Sequence, residues 1–471
     1  MAQAQITGAK AAEATFIEGK GSAIEVIDIF SNKDEKNVSI VNGTLTFLYY
    51  ESILQDSVRA VVSYSDTGNS IGEGNDPKNY KTITEGLPLV GQERVNVKIQ
   101  DNNQNELKMV LYVNKVNPLS EDTRKQIVQL ELASREFIMN EKVRVNTRFD
   151  GKISDHIKKL LEDKKYLGPT EKSEGKEGFK AKKIDVEETE NTYNFVGNNK
   201  KPYYIINWLS RGSVPKLPEA GGATGISAGF LFWETNKGLH FKSIDSLFAQ
   251  EPKISVLYNE SPDENNTPPV GYDVKALEYS VSNAVDVQNK LKLGAYSTRL
   301  IVFNPFNTYY EVINPKAEDN EDKLSLAGKE LPVLNKEFKK EDGPDFSRTT
   351  YMLLDPGSLP SGKGIGKGQE QVQKREQENF KPKEYLNQGI MRMNQVFSQK
   401  TTITIPGDFT LHAGDAIFVD APQVSGDPEN DKENTQTGGL YIIADLCHYI
   451  SAKNTLTKLN LVRDSFGRKP K

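Results

Sequence analysis

Gly225-Ile226-Ser227-Ala228-Gly229 spells G-x-S-x-G, the string in which a serine nucleophile sits on a strained turn between a strand and a helix. Here a glycine-rich loop (PEAGGATG) precedes the serine and a strand-like run (GFLFWE) follows it. The context is wrong for acyl transfer, so Ser227 is read as a loop residue. Histidines stand at 156, 240, 412 and 448, none in a metal-binding spacing such as H-E-x-x-H. His156 falls beside lysines on a helical stretch and is expected to be solvated. His240 and His448 fall in strands, where a hydrogen-bonded, partly buried imidazole is expected rather than a ligand. The glycines of GKGIGKG (362, 364, 366 and 368) match neither phosphate-cradling pattern and follow no strand, so a flexible basic linker is expected. The acidic clusters Glu318–Asp322 and Glu429–Glu433 lack the register of a calcium loop and read as solvated. Paired catalytic carboxylates meet only in a fold, and the sequence offers no positive sign of them. No catalytic, metal or cofactor residue is assigned, and no cofactor is expected.

Composition narrows the rest. A chain of 471 residues suggests two to four domains. Lys plus Arg is 60 against Asp plus Glu at 65, so nothing clusters cations for phosphate, and sequence-specific nucleic-acid binding is not expected. A mildly acidic surface is compatible with lining a channel through which DNA passes. The single cysteine, Cys447, excludes a disulfide framework and lies among Ile442, Ile443, Leu446 and Tyr449, so it reads as a buried structural thiol in a reducing compartment. The opening MAQAQITGAKAAEATF lacks an apolar signal core, and no stretch approaches the ~18 apolar residues of a membrane span. A soluble protein without membrane insertion is expected.

The elements are mostly strands. Ile24–Ile29, Arg59–Tyr64, Val95–Ile99, Lys108–Lys115 and Ile127–Leu132 are rich in β-branched residues or alternate in polarity, and Val38–Tyr50 carries Asn42-Gly43, a hairpin signal. Asp66-Thr67-Gly68 closes the second of these with a turn. The period then changes. Ile153, Ile157, Leu160 and Leu161 predict a helix with Ser154 as N-cap, stopped by Gly168-Pro169, and Pro202 opens another that runs to Gly212. Thr170–Glu190 reads as a polar loop. Gly229–Glu234 and Leu239–Ile244 form a hairpin, Asn283–Leu293 a short helix, and Thr298–Phe303 with Thr308–Val312 further strands. Lys400–Ile405, Ala416–Val419, Leu440–Ala444 and Leu456–Val462 close the chain.

Several segments, in this order, resemble the T4-type baseplate hub family, relatives of the N-terminal part of type VI secretion spike proteins. They are LYYESILQDS (48–57), GLPLVGQERVNVKIQ (86–100), LELASREFIMN (130–140), GKISDHIKKLL (151–161), PYYIINWLS (202–210), the hairpin 229–247 and FTLHAGDAIFV (409–419) with 440–462. The match spans most of 20–310 and 385–465. It implies a mainly β fold with short helices, built as two interleaved tube-like β-barrel domains in a trimeric ring of pseudo-sixfold symmetry. Residues 1–145 would form the first barrel, completed by 270–314. Residues 146–269 would be the α+β part of the second domain, 315–383 a charged Gly/Pro-rich loop or insert, and 384–471 the closing strands.

The resemblance also implies a structural role in the virion, at the baseplate of a contractile phage tail assembled in the host cytoplasm. A homotrimer would join the hexameric tail tube to the trimeric central spike around the DNA channel, with baseplate wedge proteins outside. Open barrel edges suit such a ring, because their free N–H and C=O groups pair with a neighbouring copy. The expected interface residues are Tyr49, Tyr50, Arg59, Tyr64, Arg299, Phe303 and Tyr309, and charge reversal along Arg59–Asp66 is expected to spare the fold. A tail-associated cell-wall hydrolase, a spike-type carrier of a secretion machine and another baseplate protein with a borrowed barrel remain alternatives.

Overall fold

A computed structural model describes residues 22–33, 36–72, 80–122, 124–170, 181–216, 229–258, 268, 270–283, 285–304, 309–317, 324–340, 345–353, 382–421, 434 and 436–469. The expected loops at Ser227, GKGIGKG, Glu318–Asp322 and Glu429–Glu433 lie outside these residues. The protein is a β-rich α+β structure.

The first seven strands are β1 (Ala23–Phe30), β2 (Asn37–Ser39), β3 (Thr44–Ser52), β4 (Arg59–Asp66), β5 (Arg94–Gln100), β6 (Glu106–Asp122) and β7 (Lys125–Ala133). Alternation sets their faces. Phe47 and Tyr49, then Ala60, Val62 and Tyr64, then Val95, Val97 and Ile99 all point inward. Between β4 and β5 comes helix α1 (Ile83–Gly86), and α2 (Arg135–Lys142) follows β7, capped by Ser134.

A second group of seven comes much later: β13 (Ser255–Leu257), β14 (Val274–Lys275), β15 (Glu278–Asn283), β19 (Gln399–Pro406), β20 (Ala416–Asp420), β21 (Gly439–Ser451) and β22 (Thr455–Arg463). The two groups make one 14-stranded sheet, ordered β14-β13-β20-β21-β3-β4-β7-β6-β5-β1-β2, with β22, β19 and β15 branching from β21. Strand β21 is the shared member. Its start pairs with β20 and its end, from Asp445 to Ser451, pairs antiparallel with β3, while β22 takes the other edge. Inward residues of both groups form a single apolar core, each large side chain contributing about 1.5–3 kcal/mol.

Between the groups lies an α/β unit. It holds β8 (Arg148–Phe149), α3 (Ile153–Glu162), β9 (Lys183–Val186), β10 (Phe195–Val196), α4 (Pro202–Ser210), β11 (Phe230–Glu234), β12 (Gly238–Ser243) and α5 (Ile244–Phe248). Its core is separate. Lastly, α6 (Val287–Leu293), β16 (Thr298–Asn304), β17 (Tyr309–Ile313), β18 (Arg348–Leu353) and α7 (Pro382–Gln395) build a small layer in which β17-β16-β18 form their own sheet.

Several expectations change. Asn42-Gly43 is no hairpin turn: β2 pairs with β1, and Val41–Gly43 is a 3-10 turn. Gly43 is required because a Cβ there would stand 2.6 Å from the Ser65 carbonyl oxygen. Ser154 lies inside α3, whose N-cap is Lys152. The stretch 170–190 contains β9, which adds parallel to β12. Among the described residues, 270–314 does not pair with β1–β7: β15 joins β19, and β16 lies between β17 and β18. Within 315–383, read as a loop or insert, Glu330 bridges to Phe466 and β18 is a strand.

Candidate assembly surface and interdomain niche

The seven expected interface residues separate by strand parity. Tyr49 and Tyr64 are inward core residues with no exposed surface, which removes them as contacts. Asp66 is equally enclosed: its carboxylate accepts from the N–H groups of Gly68 and Ile83 and from the Ser70 hydroxyl, so reversing its charge would break the fold rather than spare it. Tyr50 faces out at the β3–β21 joint, opposite Cys447. That thiol is half-buried, and burial pushes its pKa up. Arg59 lies over the Phe137 ring, 5.9 Å from its centroid, and Arg299 over Phe346 at 5.2 Å. Tyr309 pairs through its backbone with Asn304.

Phe303 belongs to something larger. On β16 the even positions Leu300 and Val302 are buried, leaving Ile301 and Phe303 on the outer face. Register sets Val312 and Tyr351 beside Ile301, and Tyr310 and Leu353 beside Phe303. Phe303 is 39% exposed, Tyr310 64%, Val312 37%, Tyr351 77% and Leu353 67%. Three strands by five residues make a face about 14 Å by 17 Å. Monomers rarely leave a contiguous apolar patch of more than a few hundred Å² uncovered.

The second feature is a buried junction. Alternation puts Glu51 on the inward face of β3 with Phe47 and Tyr49, and it is fully enclosed. Its carboxylate accepts from the Tyr49 hydroxyl (2.8 Å), Asn236 N–H (2.8 Å), Ala413 N–H (2.9 Å) and His412 Nδ1 (3.1 Å). One side chain thus holds β3, the β11–β12 turn and the loop before β20. Burial alone raises its pKa, but the His412 ring and the two N–H groups more than offset this, leaving it below the ordinary carboxylate range. Glu234 makes a similar tie. It accepts from Val58 N–H (3.0 Å), the Ser134 hydroxyl (2.8 Å) and the Lys182 ammonium.

Above the Glu51 junction a cavity of about 140 Å³ opens between β9, the β11–β12 hairpin, α5 and residues 412–415. Trp233 and His240 stack in its lining, 5.2 Å apart at 23°. Gly414, at φ +90°, seats its loop where a Cβ would stand 2.5 Å from the Trp233 ring. His240 Nε2 meets the Thr235 hydroxyl at 2.9 Å, and Nδ1 faces Asp185 at 3.4 Å. The order resembles a nucleophile, base and acid. However, Thr235 is 1% exposed and its oxygen accepts from Lys237 N–H inside the hairpin turn, so no substrate carbon reaches it.

The other histidines are structural. His156 is buried rather than solvated, edge-on to Phe149 and Phe195 with Nε2 against the Tyr193 carbonyl. His448 is wholly enclosed in β21, with Nδ1 against the Thr457 hydroxyl. Burial pushes its pKa down to about 3, against a smaller upward pull from Glu51. With the folded value depressed, the stability that depends on neutral His448 is complete above the unfolded pKa near 6.5 and is lost as pH falls from there towards 3. Between pH 7.5 and 5 this amounts to about 2 kcal/mol. The His448→Phe variant is expected to lose that much less over the same interval in urea titrations; equal losses in both proteins would refute the assignment.

Sequence reasoning overlooked Glu51, Glu234, Arg392 and Tyr351. For Glu51 and Glu234 a signal existed, each being a carboxylate on an otherwise apolar strand face or run. Among the described residues no group of three His, Cys, Asp or Glu side chains is placed to hold a metal, and no helix is long and apolar enough to cross a membrane.

The chain matches no protein-family model and no curated protein. Among solved structures it is similar to a tail protein from Neisseria meningitidis MC58, at 9% identity and a TM-score of 0.49, over 93% of this chain and 96% of that one. It is also similar to the 43 kDa tail protein of prophage MuSo2 from Shewanella oneidensis, at 10% identity and 0.46, over 93% and 98%. An E. coli component of the type VI secretion system aligns at 9% identity and 0.39, over 95% and 79%.

Proposed function

We propose that the chain is a non-catalytic structural subunit of a contractile phage tail, the baseplate hub that adapts a hexameric tail tube to a trimeric central spike around the DNA channel. Its place is then the virion baseplate, reached after assembly in the host cytoplasm, with wedge proteins around it. The carrying observation is the division of the large sheet into two groups of seven strands, 23–133 and 255–463, joined along β3 and β21. Three copies of two comparable groups offer six similar surfaces on one side while the assembly keeps threefold symmetry on the other. The ordered sequence segments quoted above support the same reading.

The outer face of β16–β18 supplies a contact between copies. It is too small to be a whole interface of about 800 Å² per partner, and suits the apolar middle of one. Phe303 stays in this reading as a contact with Arg299 on the same strand, while Tyr50 and Arg59, on β3 and β4 of the large sheet, are proposed as a separate contact. Sedimentation equilibrium at micromolar concentration is expected to give the mass of three chains. The Tyr310→Glu/Tyr351→Glu variant is expected to give one chain with an unchanged melting temperature, since both residues point to solvent in the single chain. A wild-type monomer would overturn the trimer, and an undisturbed trimer in the variant would overturn this placement of the contact.

A further inference from the structure

We propose that the cavity beside Trp233 receives the carboxylate side chain, Asp or Glu, of a partner polypeptide. Its size sets the first limit. A cavity of about 150 Å³ holds a guest of roughly six non-hydrogen atoms, and the 140 Å³ here admits an acidic side chain and little more. Charge sets the second. Asp185 is paired with Lys242 at 2.9 Å, and Asp415 with Lys253 at 2.8 Å, so these four cancel. Behind them the Glu51 carboxylate is occupied by its four donors.

Lys237 is the remaining cation. It sits in the β11–β12 turn at the rim and has no carboxylate within ion-pair distance among the described residues. Partial burial and neighbouring Lys253 work against its charge, more than Asp415, Glu51 and Asp408 support it, and an incoming carboxylate would add a direct counter-charge. The partly exposed His240 ring, backed by the buried Trp233 ring, meets the guest's methylenes, while Lys237 takes the carboxylate. The lining is firmly held: Trp233 Nε1 donates to the Ala413 carbonyl at 2.9 Å, and the Gln250 amide donates to the Leu247 and Gly414 carbonyls. A preformed niche of this kind orders little on binding.

The test uses the full chain carrying Trp208→Phe, which leaves Trp233 as the only indole of the two in the sequence. Trp233 emission is followed at constant ionic strength against N-acetyl-L-glutamate N-methylamide, its glutamine counterpart and acetate. The glutamate compound is expected to give a saturable response in the millimolar range, at least tenfold stronger than the glutamine compound and than acetate. Lys237→Gln is expected to weaken it at least tenfold. No saturation, equal responses to both amides, or an unaffected Lys237→Gln protein would overturn the proposal. Equal saturation by acetate would reassign the cavity to a free anion and overturn the side-chain assignment. Should Trp208→Phe fail to fold, the indole N–H resonances of the wild-type chain give the same readout. None of these outcomes depends on the number of chains in the assembly.

Discussion

Glu51→Ala is expected to cost about 4 kcal/mol of folding stability, read as a shift of the urea midpoint. The substitution removes one carboxylate and strands four donors, two of them backbone N–H groups that cannot turn elsewhere. Each buried group left without a partner costs about 1–3 kcal/mol, and partial relaxation keeps the total below the sum. Glu51→Gln should retain roughly half the stability lost by the alanine variant, because its carbonyl oxygen still accepts while its amide faces donors. Pepsin nicking near Asn236 should rise in parallel, since the carboxylate also fixes that turn. A loss under 1 kcal/mol for the alanine variant would mean that the junction is not structural.

Arg392→Met is expected to cost about 3–5 kcal/mol for a related reason. Arg392 lies on the buried face of α7, 1% exposed, and its guanidinium forks between Asp245 of α5 at 3.1 Å and Asp464 beyond β22. It also donates to the Ser325 carbonyl and lies over the Phe248 ring. Burial alone disfavours its charge, but the two carboxylates more than offset this and hold its pKa above the usual value. Methionine would fill the volume and leave two buried carboxylates facing each other. Arg392→Lys should recover part of the loss, since a point charge reaches one partner but not both in the forked geometry. The readout is denaturant unfolding together with protease sensitivity of 324–331, the stretch that Arg392 ties down. Unfolding unchanged within 1 kcal/mol would refute the role.

The sequence made the strands legible where the cause is local. VNVKI alternates because one face of β5 is core, and Pro202 opens α4 because a helix start needs no proline N–H. Failures came where the cause is distant. Gly43 answers the carbonyl of Ser65, two strands' length away, and not a turn of its own. His156 was readable after all. It stands three residues from Ile153 and four before Leu160, on the apolar stripe of α3, and the adjacent lysines point elsewhere. Choosing both Tyr49 and Tyr50 as contacts guaranteed one error, since neighbours in a strand face opposite sides. Tyr351 sits in a stretch dominated by charge and glycine, and its partner strand lies about fifty residues upstream. The niche was invisible for the same reason: Lys237 and Asp415 meet only through the fold.

The ladder between β3 and β21 also has a meaning in time. Ser52 and Asp445, which meet at its end through a 2.6 Å hydrogen bond, are 393 residues apart in the chain. At 5–20 residues per second a ribosome needs roughly 20 to 80 s to deliver the second after the first. Throughout that interval β3 emerges with one edge unclaimed, next to other nascent chains in the same condition on the same messenger. The strand that relieves it follows 393 residues later. Fidelity in making this protein therefore rests on keeping one early edge idle until its own late partner appears, and a neighbour's β21 is chemically indistinguishable from that partner.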